Sequence, residues 1–520
     1  MLKLSLSRRI AVSPCVLPCL ARLRCLATAA QKLPDTGFAG KAEGDIGSFF
    51  SSLGADAVDL PPRFMGLKRE LWNENLVDAW RDVLKELEGR TDEIISKGNQ
   101  IIPQISYADL SRGLSEEQER QVRKTGVIIV KGAVPKEEAL VWKQAIRDYA
   151  VENKERVKGT KQVLTLDFLL LMTPVAFWNI GFPADNIQVY EFYNTKSQVL
   201  ARTHPSILDT QRKLLRLWKA SDPSTEISLN TPISYFDRLR IRHPGDQTFT
   251  LGPHIDGGSI ERWEDPGYRS CFQKILEGRW REHNPFDASP RIHAKQDLYN
   301  APNQCSIFRP WQGWTALSST GPNEGTLRVL PMLALSTAYI MLRPFFRPKS
   351  LQSTSGWSSS TSLKPEDWEL DLSSTKFPGA AMGKGLEPSE KMHFHLKLDK
   401  TMVSIPKVEP GDQVYWHCDL VHAVESQHEG KGDSSVLYIP AVPLTTYNAN
   451  YLRHQRNNFV SGHPAPDFPG GVGESNNTGR GSRNDIKTRD GLQAFGFEPF
   501  EVKGSDNPGF VEKANAILAA

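Results

Sequence analysis

Short apolar runs separated by turn residues dominate the middle of this chain. Residues 126–130 form a β-branched run that is typical of a buried strand. In residues 233–241, Leu239 and Ile241 alternate with arginines, which predicts another strand. Further short strands are predicted at residues 314–317, 326–330, 403–406, 414–416 and 436–439. Many short strands with turns between them favour a β-sandwich or a jelly roll.

The segment Pro322-Asn323-Glu324-Gly325 separates two of these runs, residues 314–317 and 326–330. Turn chemistry of this kind between apolar runs is a hairpin signal, because Asn and Gly readily adopt the left-handed backbone conformation that tight turns require. We therefore expect the two runs to pair as a β-hairpin.

Helical periodicity is concentrated in the N-terminal part of the chain. Apolar residues recur at helical spacing from Leu71 to Leu87, which predicts a helical arm packed on the main domain. Ser115 precedes acidic residues at a position typical of a helix N-cap, and residues 137–151 return to helical spacing. Together with the strands, this predicts an α+β protein with a mainly β core, flanking helices and long insertions.

These patterns divide the chain into four parts. They are a leader at residues 1–30, a helical arm at 31–113, a main domain at 114–451 and an irregular extension at 452–520 that packs on the core. The main domain carries inserts near residues 262–303 and 345–400. Because loops on rigid scaffolds commonly carry function, the first insert is a candidate substrate lid.

The leader differs in composition from the rest of the chain. It is rich in arginine and serine and contains no acidic residue, which is typical of a mitochondrial transit peptide. It predicts a protein of the mitochondrial matrix, with a cytoplasmic location as the alternative. The competing interpretation is a secretory signal at residues 10–20, but Pro14 and Pro18 interrupt that apolar run, and Arg22 and Arg24 follow it.

The overall charge is ordinary for a globular protein. The 63 Lys and Arg residues nearly balance the 60 Asp and Glu residues, so the net charge of +3 gives no reason to expect nucleic acid as a partner. No apolar run is long enough to predict a membrane span. Outside the leader, Cys271, Cys305 and Cys418 are too widely spaced for a disulfide framework or a zinc site. The expected partner is a small-molecule substrate.

The most informative chemical feature is the tripeptide His254-Ile255-Asp256 together with His422, which follows the aspartate by 166 residues. Two imidazoles and one carboxylate can occupy one face of an Fe(II) ion and leave three positions open. An H-x-D turn at a strand end, with a distal histidine near a later strand, is how a double-stranded β-helix (a jelly roll) builds a non-haem iron site. We therefore predict that His254, Asp256 and His422 bind the metal and are catalytic.

Two alternatives concern these residues. An H-x-D tripeptide alone is a weak motif in a chain with 12 histidines, and Asp256 could simply cap the glycines that follow it. His417 also competes for the distal position. It is expected in mid-strand, however, whereas His422 comes where the strand should end, so we place His417 in the core or behind the ligands. Asp419 and Glu425 flank the site and could orient an imidazole, although solvated charges are more common.

Three segments around these residues carry a family resemblance: LGPHIDGGSIERW from residue 251, GWTALSSTGPNEGTLRVLP from residue 313 and GDQVYWHCDLVHAVE from residue 411. The chain resembles the Fe(II)/2-oxoglutarate dioxygenase superfamily on its phytanoyl-CoA-hydroxylase-like side. More closely it resembles the YbiU-like family, the domain of unknown function numbered 1479. The resemblance covers residues 114–451. It implies a double-stranded β-helix, Fe(II), 2-oxoglutarate as co-substrate, and succinate and CO2 as products.

One feature departs from the family pattern. Typical members place an arginine about ten to fifteen residues after the distal histidine, where it binds the far carboxylate of the keto acid. Here residues 428–436 contain no arginine. The resemblance therefore implies another cation for 2-oxoglutarate, and Arg242 and Arg309 are the leading candidates, ahead of Arg328 and Lys431.

The leading hypothesis is an Fe(II)/2-oxoglutarate-dependent dioxygenase, an oxidoreductase that hydroxylates a small molecule. A cupin-type dioxygenase or isomerase with the same three metal ligands and no 2-oxoglutarate is the first alternative, and the missing arginine favours it. A non-catalytic binding protein on a degenerate barrel is the second alternative, against which the complete ligand set argues. Succinate formation distinguishes the first two hypotheses, and metal binding distinguishes the third.

Overall fold

Helices and strands alternate along the chain in the computed structural model, which describes Lys41, Phe50 and residues 59–156, 189–247, 251–349, 364–468 and 471–520. All of these residues belong to the unit Phe38–Ala520. The predicted transit peptide at residues 1–30 lies outside the described residues. So do residues 350–363 of the insert that was predicted near residues 345–400.

Helices occur in each of the longer described segments. The α-helices are α1 (Arg63–Leu71), α2 (Asn75–Lys97), α3 (Tyr107–Arg112), α4 (Glu116–Thr125), α5 (Lys136–Glu152), α6 (Lys196–Arg202), α7 (Pro205–Leu215), α8 (Glu261–Glu264), α9 (Pro266–Ser270), α10 (Gln273–Leu276), α11 (Leu333–Leu342), α12 (Leu398–Thr401), α13 (Thr446–Ser461), α14 (Arg489–Ala494) and α15 (Pro508–Ala519). Short 3₁₀ helices lie at Gly98–Ile101, Trp280–Glu282, Pro290–His293, Arg343–Phe345, Pro365–Asp367, Phe394–Leu396 and Arg483–Asp485. None of the helices in the described segments combines the length and the apolar character needed to cross a membrane.

The strands form a large mixed sheet, a smaller antiparallel sheet and two separate strand pairs. They are β1 (Gln104–Ser106), β2 (Val127–Lys131), β3 (Val189–Tyr190), β4 (Ile227–Ile233), β5 (Leu239–Arg242), β6 (Trp311–Ala316), β7 (Leu327–Val329), β8 (Phe346–Pro348), β9 (Trp368–Leu370), β10 (Val403–Ser404), β11 (Gln413–His417), β12 (His422–Val424), β13 (Ser434–Tyr438) and β14 (Val442–Thr445). The large sheet has the order β1-β2-β11-β6-β13-β5-β3, and the small sheet has the order β10-β7-β12. Strands β4 and β14 pair separately, as do β8 and β9. The fold is α+β with a large mixed sheet, in which β1 and β2 are parallel.

Local sequence signals explain how the helix α4 leads into the sheet. The Ser115 side chain accepts from the backbone N of Gln118 at 3.2 Å, and the Gln118 side chain accepts from the backbone N of Ser115 at 2.9 Å. This capping box satisfies donors that a helix start leaves unpaired. Gly126, with φ of 75°, ends the helix, and the buried strand β2 begins at the next residue. The predicted N-cap and the predicted buried strand are both confirmed.

The predicted helical arm contains α1 and α2. Helix α2 packs on α11, and the Trp80 ring stacks on Phe346 and Tyr339 with centroid separations of 4.8 and 5.4 Å. Trp80 is buried, as are Val83 and Leu87 one and two turns further along the same helix. The apolar stripe seen in the sequence is therefore the face that α2 packs against the rest of the protein.

The predicted β-hairpin is wrong, because β6 and β7 belong to different sheets. Strand β6 pairs with β11 and β13, whereas β7 pairs with β10 and β12. The expected turn conformation is present, with φ of 67° at Asn323 and 73° at Gly325. The turn carries the chain from the large sheet to the small one instead of returning it along the same sheet.

The single strand predicted at residues 233–241 is two strands in the structure. Strand β4 ends at Ile233 and β5 begins at Leu239. Between them, the backbone N of Ser234 donates to the Ala494 carbonyl at 2.9 Å, and the backbone N of Phe236 donates to the Gln455 side chain at 2.8 Å. The C-terminal helices thus take hydrogen bonds that a continuous strand would have given to a neighbouring strand.

The insert at residues 262–303 is packed into the core and is not arranged as the substrate lid that we expected. It contains the short helices α9 and α10, together with the end of α8. Trp263, Tyr268 and Phe272 are buried in the main hydrophobic cluster, and Trp263 Nε1 donates to the Met341 carbonyl at 3.1 Å. Large aromatic side chains bury a large apolar area, and a mobile lid would have to expose this area to water each time it opened.

The C-terminal segment, expected to be irregular at residues 452–520, contains most of α13 together with α14 and α15. Its apolar residues form a hydrophobic cluster with β4 and β14, in which Phe510 and Leu518 pack with Ile233 and Leu444. Apolar residues at helical spacing in α15 were the sequence signal for this helix. The segment thus extends the core rather than covering it with irregular chain.

Candidate metal centre and cavity

His254, Asp256 and His422 lie together beside the small sheet. The backbone N of each histidine donates to the carbonyl of the other, at 2.8 and 2.9 Å, in an antiparallel bridge. Asp256 Oδ1 lies 3.7 Å from His254 Nε2, and Asp256 Oδ2 lies 3.4 Å from His422 Nε2. The three candidate ligand atoms all lie within 4.8 Å of one another. The fold thus brings together three residues that the sequence separates by up to 168 positions.

Backbone carbonyls orient both imidazole rings. His254 Nδ1 lies 2.7 Å from the Gly252 carbonyl oxygen, and His422 Nδ1 lies 3.0 Å from the Leu420 carbonyl oxygen. A carbonyl oxygen can only accept, so each Nδ1 donates its proton and each Nε2 keeps a lone pair. Since a metal-binding histidine commonly donates its other N–H in this way, both rings are held ready to bind a metal through Nε2.

The local electrostatics favour a neutral His254 and an ionised Asp256. Burial and the neighbouring His422 lower the pKa of His254 to about 4, against the opposing effect of Asp256. Burial alone would raise the pKa of Asp256, but the nearby His422, His254 and Arg309 hold that pKa below its ordinary value. Because each Nδ1 is engaged with a backbone carbonyl, the three residues offer two imidazole Nε2 atoms and one carboxylate, a donor set that fits Fe(II).

His417 lies apart from this site. Its ring stacks on Trp218 with a centroid separation of 4.8 Å. His417 Nε2 donates to the Pro285 carbonyl at 3.0 Å, and Nδ1 accepts from the backbone N of Asp419 at 3.0 Å, so both ring nitrogens are engaged. Strand β11 ends at His417, and His422 begins β12 in the other sheet. His422 thus stands at the start of the next strand and not, as expected, at the end of the same one.

Asp419 is buried and does not act as a solvated charge. It accepts from Arg262 Nη1 at 2.6 Å and from both terminal nitrogens of Arg291. Among the described residues, Asp419 makes no hydrogen bond to either His254 or His422. The carboxylate therefore joins parts of the chain behind the site and orients neither ligand ring directly.

Glu425 is also buried, and it holds the turn between the two sheets. Its carboxylate accepts from the backbone N of residues 323, 325 and 326, at 2.9 to 3.0 Å, and from the Ser404 hydroxyl. Because every one of these donors belongs to the turn or to the adjacent strand, Glu425 stabilises the crossing from β6 to β7. The expectation of a solvated charge is wrong here as well.

A cavity of about 180 Å³ lies between the two sheets and reaches the three candidate ligands. Its apolar lining includes Phe50, Tyr235, Leu251, Trp314, Trp416 and Phe468. Its polar lining includes Asp237, Arg238, Arg240, Asn303, Arg309 and Thr326. Of the insert at residues 262–303, which the structure describes throughout, only Asn303 lines the cavity. The site is thus open on one side to a small chamber with both apolar and cationic walls.

Of the cations predicted to bind 2-oxoglutarate, Arg309 lines the cavity and Arg242 does not. Arg242 is buried with Asp246, which accepts from Arg242 Nε at 2.8 Å. The terminal nitrogens of Arg242 donate to the carbonyls of Glu425, at 2.6 Å, and Ser426, at 3.0 Å. A guanidinium engaged in this way holds loops together, so the prediction for Arg242 does not fit the structure.

The two weaker candidates also lie away from the cavity. Arg328 donates to the Met402 carbonyl at 2.6 Å, and Lys431 is exposed. Neither is among the residues that line the chamber.

Sequence reasoning did not single out Arg238 and Arg240, which also line the cavity. The signal was present in the alternation around β5. Side chains alternate between the two faces of a strand, so Arg238, Arg240 and Arg242 share the face opposite Leu239 and Ile241. The two apolar residues pack in a buried cluster on the outer face, which leaves the arginines pointing inwards.

Residues 58–497 match the family described as Gig2-like. The chain belongs to the Gig2-like family. The matched range covers most of the chain, and His254, Asp256 and His422 of the candidate centre lie within it. The membership agrees with the resemblance noted from the sequence to the YbiU-like proteins.

Similar proteins are found in a fungus and in bacteria. YbiU of Escherichia coli K12 is 31% identical over 407 residues, which cover 78% of this chain and 87% of YbiU. The crystal structure of GlcNAc Inducible Gene 2 (GIG2, DUF1479) from Candida albicans is 30% identical, with a TM-score of 0.72, and covers 89% of this chain and 95% of that one. The structure of JW0805 from Escherichia coli is 29% identical, with a TM-score of 0.67, and covers 85% of this chain and 99% of that one. The Gig2-like fold therefore extends over nearly all of the described chain.

Proposed function

We propose that this member of the Gig2-like family is an Fe(II)- and 2-oxoglutarate-dependent oxygenase that hydroxylates a small molecule. The observation that carries the proposal is the convergence of His254, His422 and Asp256, whose candidate ligand atoms lie within 4.8 Å of one another beside a cavity. Two histidines and one carboxylate with open positions are the typical ligand set of non-haem Fe(II) oxygenases.

The path of the chain supports a double-stranded β-helix around this site. From β5 the chain passes to the His254 bridge beside the small sheet, and then to β6 in the large sheet. It continues through β7 and β10 in the small sheet, β11 in the large sheet, β12 in the small sheet and β13 in the large sheet. Repeated crossing between two facing sheets, with antiparallel pairing of the strands that cross, is how a jelly roll is wound.

When bound, iron and 2-oxoglutarate would supply the oxidising chemistry, in which dioxygen gives one oxygen atom to succinate and one to the hydroxylated substrate as CO2 is released. The protein would orient the metal ligands and provide a shielded cavity for this chemistry. The carbonyls of Gly252 and Leu420 hold the two imidazoles with Nε2 facing Asp256. Phe50, Leu251 and Trp416 give the cavity an apolar wall that limits the entry of water.

Arg240 is the cation that we propose for the far carboxylate of 2-oxoglutarate. It lines the cavity from β5, where it pairs with Val436 of β13. Val436 follows His422 by 14 residues, so the Arg240 side chain starts beside the stretch where typical superfamily members carry their arginine. A planar guanidinium can bind a carboxylate through two parallel hydrogen bonds, which fixes the orientation of the keto acid.

The test of the proposal is succinate formation from 2-oxoglutarate by the full-length protein with Fe(II) under air. We expect the wild-type protein to form succinate and Asp256→Ala to form none above background. Arg240→Met should weaken the binding of 2-oxoglutarate by roughly 2–4 kcal/mol, because a carboxylate would be left in the cavity without its partner. The KM for 2-oxoglutarate should rise accordingly. Arg328→Met is the matched control, since Arg328 does not line the cavity. Its KM should stay unchanged.

A cupin-type metal enzyme that does not use 2-oxoglutarate is the second candidate. The observation that favours it is the absence of an arginine from residues 428–436. It predicts stoichiometric metal in the wild-type protein but no succinate under any condition. That combination of results would replace the first proposal with the second.

A further inference from the structure

We propose that Arg238 and Arg309 form a second anion-binding subsite in the cavity, which takes a carboxylate of the primary substrate. The assignment of this carboxylate to a substrate rests on the proposed oxygenase function. The subsite itself rests on the arrangement of the two guanidinium groups and Asp237. We call Arg238 and Arg309 the arginine pair, and Asp237 their shared aspartate.

One carboxylate is shared between the two arginines. Asp237 Oδ1 lies 3.5 Å from Arg238 Nε, and Asp237 Oδ2 lies 3.5 Å from Arg309 Nη1. Both distances exceed the usual range of a charge-assisted N–H···O hydrogen bond, which is about 2.7–2.9 Å. Asp237 also accepts from the backbone N of Arg238 at 2.7 Å. The aspartate therefore compensates part of the charge of the pair without using up its donors.

Arg309 has donor capacity that the protein does not use. A guanidinium carries five N–H donors, and within the described segments Arg309 donates no hydrogen bond to another residue. Its side chain is 12% exposed and lines the cavity. Arg238 Nη1 donates to Asn303 at 3.2 Å. A buried cation with unused donors is stabilised when an anion binds to it.

Aromatic rings fix the planes of both guanidinium groups. Arg309 lies over the Tyr235 ring at 5.2 Å, and Arg238 lies over the Phe468 ring at 4.9 Å. All four side chains line the cavity. A guanidinium held against a ring loses little further freedom when a ligand binds, which favours a planar group such as a carboxylate.

The excess positive charge of the cavity lining also favours the binding of another anion. Its lining contains three arginines, at positions 238, 240 and 309, and two aspartates, at positions 237 and 256. The two charges of Fe(II) would be cancelled by the two carboxylates of 2-oxoglutarate. The lining would thus keep an excess of one positive charge after both had bound. A substrate with one carboxylate restores neutrality in a buried chamber, where unpaired charge is costly.

The subsite is distinct from the proposed 2-oxoglutarate anchor. Arg240 interacts with Tyr438 and lies near Arg242 and Asp246. Arg309 instead interacts with Asp237 and Asp256. One arginine therefore serves the keto acid, and the arginine pair serves the substrate.

A matched pair of probes tests this inference. Benzoate and benzamide have nearly the same shape but differ in charge. Their binding is measured by titration calorimetry with the full-length protein, loaded with Mn(II) and saturating 2-oxoglutarate, and again with the metal-free protein. We expect benzoate to bind at least tenfold more tightly than benzamide in both states.

Variants then assign the preference to the arginine pair. Arg309→Met should reduce the preference for benzoate at least tenfold, while Asp237 keeps Arg238 as its partner. Arg309→Lys should keep part of the preference, because it keeps the charge but loses the fork of donors. Arg240→Met should weaken 2-oxoglutarate binding and leave the preference for benzoate intact.

Three outcomes would overturn the inference: equal binding of the two probes to the wild-type protein, an unchanged preference in Arg309→Met, or displacement of 2-oxoglutarate by benzoate. Failure of the proposed function looks different. In that case 2-oxoglutarate does not bind to the Mn(II)-loaded protein, while the metal-free titration still decides whether the arginine pair binds a carboxylate.

Discussion

Arg262 Nη1 lies 2.6 Å from Asp419 Oδ1, and this buried ion pair joins the two segments that carry the candidate metal ligands. Arg262 follows Asp256 by six residues, and Asp419 precedes His422 by three. Arg262 Nη2 also reaches the Asp256 carbonyl at 3.4 Å. The distance between Asp256 and His422, the candidate ligands, therefore depends on a contact that lies outside the site.

Arg262→Met should lower the affinity for Fe(II) or Mn(II) about ten- to a hundredfold, the range typical for groups that support metal ligands. The fold should survive, because Asp419 keeps its pairing with Arg291. The matched control is Arg291→Met, which removes the other guanidinium and leaves the contact between Arg262 and Asp419 intact. Both variants should lose roughly 1–3 kcal/mol of unfolding free energy. Equal metal affinities in the two variants, measured by titration, would refute the positioning role of Arg262.

His422→Ala should lose the metal, whereas His417→Ala should keep it. The reason is that His422 Nε2 faces Asp256 at 3.4 Å, while His417 is stacked on Trp218 in the core. His417→Ala should instead destabilise the fold by roughly 2–4 kcal/mol, because it leaves a cavity between buried rings. Elemental analysis and urea unfolding measure the two effects. A metal-free His417→Ala protein that is still folded would contradict the ligand assignment.

Glu261→Gln should change how stability depends on pH. Glu261 is buried, and burial raises the pKa of its carboxyl to about 7 from 4.5. The folded protein therefore holds this proton more tightly than the unfolded chain does. The stabilisation that protonated Glu261 contributes to the unfolding free energy is fully present below pH 4.5. It is lost as pH rises through 7, by about 3 kcal/mol at most.

The variant lacks this titration and keeps an oxygen for the backbone N of Ser259, which Glu261 Oε2 accepts at 2.7 Å. Glu261→Gln should thus gain stability relative to the wild type between pH 5 and pH 8 in urea unfolding. The exposed Glu88→Gln is the control and should show no such gain. Parallel pH profiles for the wild type and Glu261→Gln would show that Glu261 is ionised in the folded protein at all of these pH values.

Glu425→Gln should destabilise the protein without removing the metal. The carboxylate accepts from three backbone N–H groups of the turn that joins β6 to β7, and an amide cannot accept from all of them. We expect a loss of at least about 2 kcal/mol of unfolding free energy, since buried donors would be left unpaired. The exposed Glu429→Gln serves as the control. Loss of metal from a folded Glu425→Gln protein would assign this residue to the metal site instead.

The local features of this protein could be predicted because they depend on neighbouring residues. Ser115 and Gln118 form a capping box within one turn, and the stripe around Trp80 repeats with the period of a helix. The alternation of arginines with Leu239 and Ile241 likewise follows from the period of a strand. His254, Asp256 and His422 could be named because the H-x-D turn and the distal histidine each follow a recognisable local pattern.

Other features were decided only by the tertiary structure, because they depend on partners far away in the chain. The turn at Asn323 has hairpin chemistry, yet its strands pair with β11 and β12, which lie about a hundred residues later in the chain. Residues 234–238 leave strand geometry because the C-terminal helices offer hydrogen bonds to their backbone.

The roles of the buried charges were decided in the same way. Nothing near Asp419 in the chain identifies Arg262 and Arg291 as its partners. Asp246 lies only four residues after Arg242, and the two pair because the fold buries both side chains. The sequence by itself determined the candidate metal ligands and which face of a strand or helix neighbouring residues share. The tertiary structure decided which charges face the cavity, because burial requires each charge to find a partner and the fold determines which partners are within reach.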